Sequence, residues 1–258
     1  MLGKGASLLR DEEGNFSSLA VRALEACHRA GVEVVIKSGR RKAQVNEDAR
    51  LIGQPSYIYE MGSGLVDGSD EVFLTGDLQP RDDATVHEQI ERSGAPKLLL
   101  ESFPGRLEYH SPWHEDRLFS HLFRGNIDLA EAQALLEEHG HGNVRLVDNG
   151  ITGRRSETLT PDVVHVYHLI SRTAGKANAV AVHMRRRGLR PEQTIAIGDS
   201  RGDLEVAGIV GRFYLVANAL TKDPDVREAI PPGADVAVTE EPMTGGFYEA
   251  IVRSLSER

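Results

Sequence analysis

The sequence predicts an α/β protein with a parallel sheet covered by helices on both faces. Near both ends of the chain, short apolar runs bounded by turn residues alternate with segments of helical period. Strands that alternate with helices pair in parallel, because each helix carries the chain back across the sheet. The middle of the chain instead carries strand-like pieces in succession, which predicts a smaller α+β domain inserted into the α/β part.

The element boundaries follow from caps, stops and β-branched runs. Ser17 or Ser18 is the expected N-cap of the first helix, and Gly31 its stop. The run VEVVI at 32–36 is long enough for a buried strand. The predicted N-terminal elements are helices at 16–30 and 42–52 and strands at 32–36 and 56–59.

In the C-terminal part the same alternation resumes. Asp223 is the expected N-cap of a helix that has Pro224 at its first position. The predicted elements are helices at 176–187, 203–210, 224–229 and 246–255, and strands at 194–197, 213–216 and 235–238.

The middle region predicts strands at 97–101, 106–110, 144–147 and 163–168, and helices at 85–92 and 129–139. We therefore expect residues 1–67 and 170–258 to form the α/β core, and residues 68–169 to form the inserted domain.

Composition excludes several classes of protein. Of 258 residues, 40% are hydrophobic and 27% charged, which excludes a wholly disordered or a collagen-like chain. The longest apolar run, at 213–217, is far shorter than the roughly 20 residues of a membrane helix. A net charge of −9 disfavours nucleic acid and anionic membranes as partners. A single cysteine, Cys27, cannot form an internal disulfide, and the N-terminus has no apolar signal region, so we expect a cytoplasmic location.

The strongest local signal is TIAIGDSRGDLEVA at 194–207, where Asp199 and Asp203 follow a buried strand. Ligands of open α/β sheets bind at the carboxyl ends of strands. Two carboxylates about 4 Å apart repel by roughly 4 kcal/mol at an effective dielectric of 20, and a shared hard cation such as Mg²⁺ removes that repulsion. Ser200 and Asp203 also fit a helix capping box. On these residues alone, metal binding and capping are equally supported.

Two further signals suit an anionic ligand. Ser38, Gly39 and Arg40 follow the 32–36 run, where a hydroxyl and backbone N–H groups can hold a phosphoryl oxygen. A plain N-cap of the next helix is the favoured reading of this piece alone.

Lys176 opens a helix, a position that the helix dipole disfavours for a cation by roughly 0.3–1 kcal/mol. A bound anion would offset that cost, and a solvated lysine is the alternative.

Taken in this order and spacing, the three pieces resemble the haloacid dehalogenase superfamily. The closer resemblance is to the Cof-type and sugar-phosphate phosphatases that carry an inserted α+β cap. Ser38 matches the strand-end Thr/Ser of the family, Lys176 its phosphate-binding lysine, and Asp199 and Asp203 its acidic metal motif. FYLVANA, with Asn218, resembles the segment that follows the acidic motif. YIYEMGSGL at 57–65 resembles an I-x-E-N-G-A piece in which Met61 replaces the asparagine.

The resemblance implies a fold, an activity and a set of site residues. The fold is a three-layer, Rossmann-like parallel-sheet core with an inserted cap that closes over the substrate. The activity is a Mg²⁺-dependent phosphatase acting on a small phosphorylated metabolite, a sugar or glycerate phosphate, in which an aspartate attacks phosphorus and the aspartyl-phosphate is then hydrolysed. Ser38 and Lys176 have catalytic roles; Ser38, Gly39, Arg40, Lys176 and Asn218 bind phosphate; Asp199 and Asp203 bind Mg²⁺.

One departure concerns the first motif of the family, D-x-D-G-T, which supplies two aspartates and which this sequence lacks. Either Gly5 matches the glycine of that motif, leaving Leu2 and Lys4 at the aspartate positions, or Met1 and Leu2 match the apolar pair just after it. We prefer the second alignment, which implies a chain that starts too late and lacks the first strand. The chain as written is then expected to be a poor catalyst and a marginal fold. The alternative is a non-catalytic protein that binds phosphorylated metabolites.

Overall fold

The chain builds two units, which the computed structural model describes over residues 4–154 and 156–257. The first unit takes Met1–Val35, Leu51–Gln54 and Ala181–Arg258, and the second takes Ile36–Arg50 and Pro55–Val180. Met1 and Leu2, on which the alignment of the first motif depends, lie outside the described residues. The predicted junctions at 67–68 and 169–170 both fall inside the second unit, so the proposed core and cap boundaries stay a prediction.

The first unit contains a three-stranded parallel sheet in the order β11-β10-β9. Its core joins apolar residues of helices α1 and α9 to strand residues such as Ile197 and Tyr214. The predicted strands are confirmed within one or two residues. The elements are α1 (Leu19–Arg29), β9 (Ile195–Gly198), α7 (Arg201–Leu204), β10 (Arg212–Leu215), α8 (Asn218–Lys222), β11 (Val236–Val238) and α9 (Met243–Ser256).

The second unit contains two four-stranded sheets. In the sheet β1-β2-β3-β4 only the first pair is parallel, and the sheet β5-β6-β8-β7 is antiparallel throughout. Helices α3 to α5 and the second sheet share one large hydrophobic core. The elements are β1 (Ile36–Lys37), α2 (Lys42–Leu51), β2 (Ser56–Tyr59), β3 (Gly64–Asp67), β4 (Asp70–Phe73), α3 (Val86–Ser93), α4 (Ala95–Ser102), β5 (Leu107–Tyr109), β6 (His121–Gly125), α5 (Leu129–Glu138), β7 (Val144–Ile151) and β8 (His165–Ser171).

Helix α6 (Lys176–Arg187) starts in the second unit, and its later residues belong to the first. No helix among the described residues is long and apolar enough to cross a lipid bilayer.

Three predicted elements are wrong. The strand predicted at 97–101 is helix α4, which begins after Gly94 in the left-handed conformation and has Pro96 in its first turn; both are helix-start signals that the apolar run concealed. The helix predicted at 203–210 is shorter and earlier, since α7 ends at Leu204. The segment at 224–229 forms a short 3₁₀ turn, Val226–Ala229.

The strand predicted at 32–36 is also much shorter than expected. Only Ile36 and Lys37 pair with a neighbouring strand. The N–H of Val32 donates to Cys27 O at 2.9 Å, and the N–H of Val34 donates to Gln54 Oε1 at 3.4 Å. These two backbone groups thus bind a carbonyl of the last turn of α1 and a side-chain acceptor, because no strand lies beside them among the described residues.

Candidate active site

A cluster of polar side chains follows strand β9 in the first unit. Asp203 Oδ2 accepts hydrogen bonds from Ser200 Oγ at 2.9 Å and from the Asp199 N–H at 3.3 Å. A Cβ on Gly198 would lie 2.4 Å from the Asp203 Cβ, so only glycine lets the Asp203 side chain approach the end of the strand. Asp203 is 8% exposed. The local sequence therefore folds the second carboxylate back onto the strand end.

Asp199 is partly exposed and carries two hydrogen-bond donors on one oxygen. Asn218 Nδ2 and Lys222 Nζ each donate to Asp199 Oδ2 at 2.9 Å. Burial acts to raise the pKa of the Asp199 carboxyl, but nearby positive charge, including that of Lys222, outweighs it and holds the pKa below its usual value. Asp199 is therefore ionised at neutral pH and available to a cation.

The residues of this cluster fit a hard divalent cation. Carboxylate oxygens at a strand end are ligands that Mg²⁺ prefers, and the lowered pKa of Asp199 keeps that carboxylate charged. The capping alternative loses support, since the Ser200 side chain makes no cap bond to the helix and instead donates to Asp203. The metal assignment itself stays a prediction.

The predicted phosphate turn, Ser38 to Arg40, lies in the second unit at the end of β1. Ser38 Oγ accepts a hydrogen bond from the Arg40 N–H at 3.1 Å, so it closes its own turn. The reading of Ser38 as an N-cap is wrong, because α2 begins four residues later and does not bond to it. The Arg40 guanidinium pairs with Asp48 at 3.0 Å. The guanidinium group of Arg40 thus already has a protein partner. The predicted binding of phosphate by this turn stays a prediction, and it depends on the backbone of the turn.

Lys176, the first residue of α6, is 3% exposed. The reading of Lys176 as a solvated lysine is therefore wrong. Its ammonium group donates to Asn149 Oδ1 at 3.2 Å. A buried cation at a helix N-terminus is opposed by the helix dipole and by desolvation, so its position requires support from the surrounding chain.

The support for Lys176 comes from residues 60–62, where three consecutive residues have positive φ. The values are 42° for Glu60, 58° for Met61 and 86° for Gly62. A Cβ on Gly62 would lie 2.2 Å from the backbone oxygen of Gly175 and 2.8 Å from the backbone nitrogen of Lys176. The N–H of Met61 donates to Ser38 O at 3.1 Å. This turn therefore contacts both the start of α6 and the Ser38 turn, and brings the two predicted pieces together.

Glu60 is fully buried and fixes a second loop. Its carboxylate accepts hydrogen bonds of 2.9–3.0 Å from the N–H groups of residues 118–120 and from Ser120 Oγ. Beside it, the Arg117 guanidinium donates to Ser120 Oγ and to Gly39 O, both at 3.0 Å. Glu60 and Arg117 thus tie the 113–120 loop to the Ser38 turn.

The structure therefore groups the predicted residues in two sets. Asp199, Asp203 and Asn218 form one cluster in the first unit. Both ends of the Asn218 amide have protein partners, since its Oδ1 accepts from the Met243 N–H at 2.9 Å, and its predicted contact with phosphate is untested. The second unit holds the other set: Ser38, Gly39, Arg40 and Lys176.

Sequence reasoning missed four residues that shape these sets. Lys222 stands four positions after Asn218, so helical spacing was an available signal. Glu60 lies in the piece that resembles I-x-E-N-G-A, but that resemblance does not identify its partners. Arg117 and Asn149 gave no local signal, because their partners are distant in sequence.

The chain is similar to known phosphatases in sequence and in structure. A phosphoglycolate phosphatase from Methanoculleus marisnigri is 26% identical over 254 residues, which cover 94% of this chain and 91% of the relative. The sucrose-phosphatase from Synechocystis sp. PCC6803, solved with sucrose and phosphate, has a TM-score of 0.63 at 16% identity and covers 93% of this chain and 92% of its own. A haloacid dehalogenase-like hydrolase from B. subtilis has a TM-score of 0.60 at 16% identity and covers 97% of both chains. No family model matches the sequence.

The relatives and the solved structures agree with the motifs that the sequence carries. The sequence relatives are named phosphatases, and the solved structures show that the chain has the fold of haloacid dehalogenase-like hydrolases. This confirms the predicted resemblance and the α/β fold class. The Ser38 turn, Lys176 and the carboxylate cluster after β9 occur in the order that the resemblance requires.

Proposed function

We propose that this chain is a Mg²⁺-dependent phosphatase of the haloacid dehalogenase superfamily for a small phosphorylated metabolite, a sugar phosphate or a short phosphorylated acid. The observation that carries the proposal is the buried Lys176, held at the start of α6 by the turn around Gly62. Lys176 lies in the same unit as the Ser38 turn, and the resemblance gives a lysine at this point of the chain the role of binding a phosphoryl group through a charge-assisted hydrogen bond.

Each site residue has a distinct role in this proposal. Lys176 and Ser38 stabilise negative charge on the phosphoryl oxygens, with the backbone of Gly39 and Arg40 beside them. In the first unit, Asp199 and Asp203 would hold Mg²⁺, a cation that supplies positive charge in phosphoryl transfer. Asn218 and Lys222 position the Asp199 carboxylate through the bonds to its Oδ2.

The names of relatives support the substrate class. The relative from Methanoculleus marisnigri is a phosphoglycolate phosphatase, and six further relatives, 22–26% identical, carry the same name. We propose a short phosphorylated acid as the first substrate to test, and the cytoplasm as its location, which a single cysteine favours.

A second candidate is a protein that binds phosphorylated metabolites without hydrolysing them. The observation that favours it is the sequence itself, since none of the 258 residues forms a D-x-D-G-T motif. Both candidates need the anion site, so binding and hydrolysis are tested separately.

The binding experiment compares wild type with Lys176→Ala in a calorimetric titration with tungstate, a phosphate mimic. Loss of a charge-assisted hydrogen bond costs roughly 1.5–3 kcal/mol, so we expect affinity to fall roughly tenfold to hundredfold. Lys97→Ala is the matched control, because that side chain is 75% exposed on α4. Equal affinity of wild type and Lys176→Ala would remove Lys176 from the site.

The hydrolysis experiment measures phosphate release from p-nitrophenyl phosphate and phosphoglycolate with and without Mg²⁺. Release that depends on Mg²⁺ supports the phosphatase. Tight binding without release supports the binding protein instead.

A further inference from the structure

The second sheet of the second unit has one face in the hydrophobic core and a second face, called the polar face here, that carries charged and histidine side chains among apolar ones such as Leu122 and Val147. Because side chains alternate along a strand, Phe123, Tyr167 and Leu169 enter the hydrophobic core, and their neighbours in sequence point the other way. Across this polar face Arg124 pairs with Glu108 at 2.6 Å. The residues that define the polar face are Glu108, His110, Arg124 and His168.

His168 lies on the polar face directly against the predicted phosphate turn. A Cβ on Gly39 would lie 2.9 Å from His168 Nε2, so the imidazole packs on the backbone next to Ser38. His168 is 1% exposed, and within the described part of the chain its Nδ1 has no hydrogen-bond partner. An unpaired polar atom on a buried side chain is costly, so a ligand partner for Nδ1 would stabilise the imidazole.

The charges around His168 are positive. Burial lowers its pKa well below the usual value, and Arg117 and Lys176 lower it further. Arg117 is 7% exposed and reaches Gly39 O, and Lys176 reaches Asn149. The imidazole is therefore neutral, and the charges of Arg117 and Lys176 both act on it.

His110 repeats this arrangement two strands away, with Leu122 of β6 between it and His168 in the sheet. It is 6% exposed, and its Nδ1 also has no partner in the described chain. Burial, then Arg124, Arg154 and Arg117, lower its pKa to about 4, and Glu108 opposes them. The N–H of His110 donates to Leu122 O, and Leu122 pairs with His168 in the sheet. The two imidazoles thus lie in one row of the polar face.

We propose that His168 binds the carboxylate of a short phosphorylated acid whose phosphoryl group lies at Ser38 and Lys176. This rests on the proposed function and names the part of the substrate that the polar face recognises. A neutral imidazole donates an N–H to a carboxylate, and Arg117 and Lys176 make the surroundings favourable for a second negative charge. Because His168 contacts Gly39 directly, the two anionic groups are close, which favours an acid of two or three carbons.

The test uses calorimetric titration of wild type with phosphoglycolate, ethyl phosphate and glycerol 3-phosphate. Ethyl phosphate replaces the carboxylate by a methyl group, and glycerol 3-phosphate carries neutral hydroxyls. We expect phosphoglycolate to bind at least tenfold more tightly than either. His168→Phe keeps a ring of similar size but lacks Nδ1, and should bring the ratio of affinities for phosphoglycolate and ethyl phosphate near one. His139→Phe, an exposed histidine at the end of α5, is the control that should keep the wild-type ratio.

The outcomes separate this inference from the proposed function. Equal binding of all three esters by wild type overturns the carboxylate site and leaves the phosphate site standing. Tighter binding of glycerol 3-phosphate overturns it too, because the polar face would then recognise hydroxyl groups. If His168→Phe keeps the full preference, the assignment to His168 is wrong. If no ester binds at all, the proposed function fails with it.

Discussion

The carboxylate cluster of the first unit and the Lys176 region of the second are built in opposite ways. Asp199 takes its partners, Asn218 and Lys222, from one short helix that follows it in sequence, and its side chain remains 25% exposed. Lys176 is 3% exposed and depends on Gly62 and Asn149, which come from other parts of the chain. The contacts of Asp199 are local in sequence and its side chain is accessible, whereas the contacts of Lys176 are distant in sequence and its side chain is buried.

This difference teaches where binding and stability are coupled. In the Lys176 region, the contacts that place the ammonium group are also packing contacts of the unit, so a substitution there changes both. Near Asp199, an exposed ion pair contributes only about 0–1 kcal/mol to stability, so a substitution should change ligand binding with little effect on the fold. The predictions below test that contrast from its largest effect to its smallest.

The largest loss in the free energy of unfolding is expected for Gly62→Ala. The new Cβ would lie 2.2 Å from the backbone oxygen of Gly175, at a φ of +86°. Overpacking of this kind costs roughly 1–3 kcal/mol, and a left-handed alanine about 1 kcal/mol more. We expect a loss of about 3 kcal/mol in the free energy of unfolding, measured by urea denaturation.

Gly140→Ala is the matched control for Gly62→Ala. Gly140 has a similar φ of +81°, but nothing lies within 4 Å of its Cβ position. Only the conformational cost of about 1 kcal/mol should appear. Equal losses in the two variants would show that the contact with Gly175 does not constrain the start of α6.

The next effect is a loss of stability in acid that comes from buried histidines of the second unit. Burial lowers the pKa of His121 to about 3, and His121 is 1% exposed. The unfolded chain, with a pKa near 6.5, then binds more protons than the folded chain, so stability falls as pH drops below about 6.5. At pH 4.5 this group alone should cost about 2.7 kcal/mol of the free energy of unfolding.

His121→Phe should flatten this pH dependence between pH 6.5 and 4.5, as measured by urea denaturation at each pH. The slope is the readout, because loss of the bond from His121 Nε2 to His87 O also lowers stability at every pH. An unchanged slope would mean that His121 is not the group that binds the proton on unfolding.

The sequence analysis succeeded where a signal was local. The strands of the first unit and the Gly198–Asp203 turn follow from apolar runs and neighbouring glycines, and all were predicted near their observed positions. It failed at α4, where an apolar run hid the helix-start signals at Gly94 and Pro96, and at 32–36, where strand length depends on a neighbouring strand.

The parts of the site that could not be predicted are those made by distant residues. Glu60 belongs to the piece that resembles I-x-E-N-G-A, but its four donors lie about sixty residues away in the 118–120 loop. The burial of Lys176 and the position of His168 against Gly39 depend on how separate elements pack. Residue type and spacing carry no information on such contacts.

Glu60→Gln tests the long-range clamp directly and is expected to have a smaller effect. The amide keeps the shape of the carboxylate but turns an NH₂ group toward N–H donors that now lack an acceptor. An unsatisfied buried donor costs about 1–3 kcal/mol, so we expect a loss of about 2 kcal/mol in the free energy of unfolding. Glu138→Gln, at an exposed position of α5, is the control and should change stability by less than about 0.5 kcal/mol. A Glu60→Gln variant as stable as the control would mean that the loop does not depend on this carboxylate.

The smallest effect on stability, and the sharpest contrast, is expected for Asp199→Asn. Asparagine removes the charge but keeps the size of the side chain, and the ion pair that it breaks with Lys222 is partly exposed. We expect a loss of less than about 1 kcal/mol in the free energy of unfolding. Mg²⁺ affinity should fall at least tenfold, about 1.4 kcal/mol, because one of two charged ligands is gone. Asp225→Asn, at an exposed position of the same unit, should leave Mg²⁺ affinity unchanged. The measurements are calorimetric titration with Mg²⁺ and thermal melts of wild type, Asp199→Asn and Asp225→Asn. Unchanged Mg²⁺ affinity in Asp199→Asn would make the metal assignment wrong. A loss of stability in Asp199→Asn as large as that in Gly62→Ala would remove the contrast between the two regions.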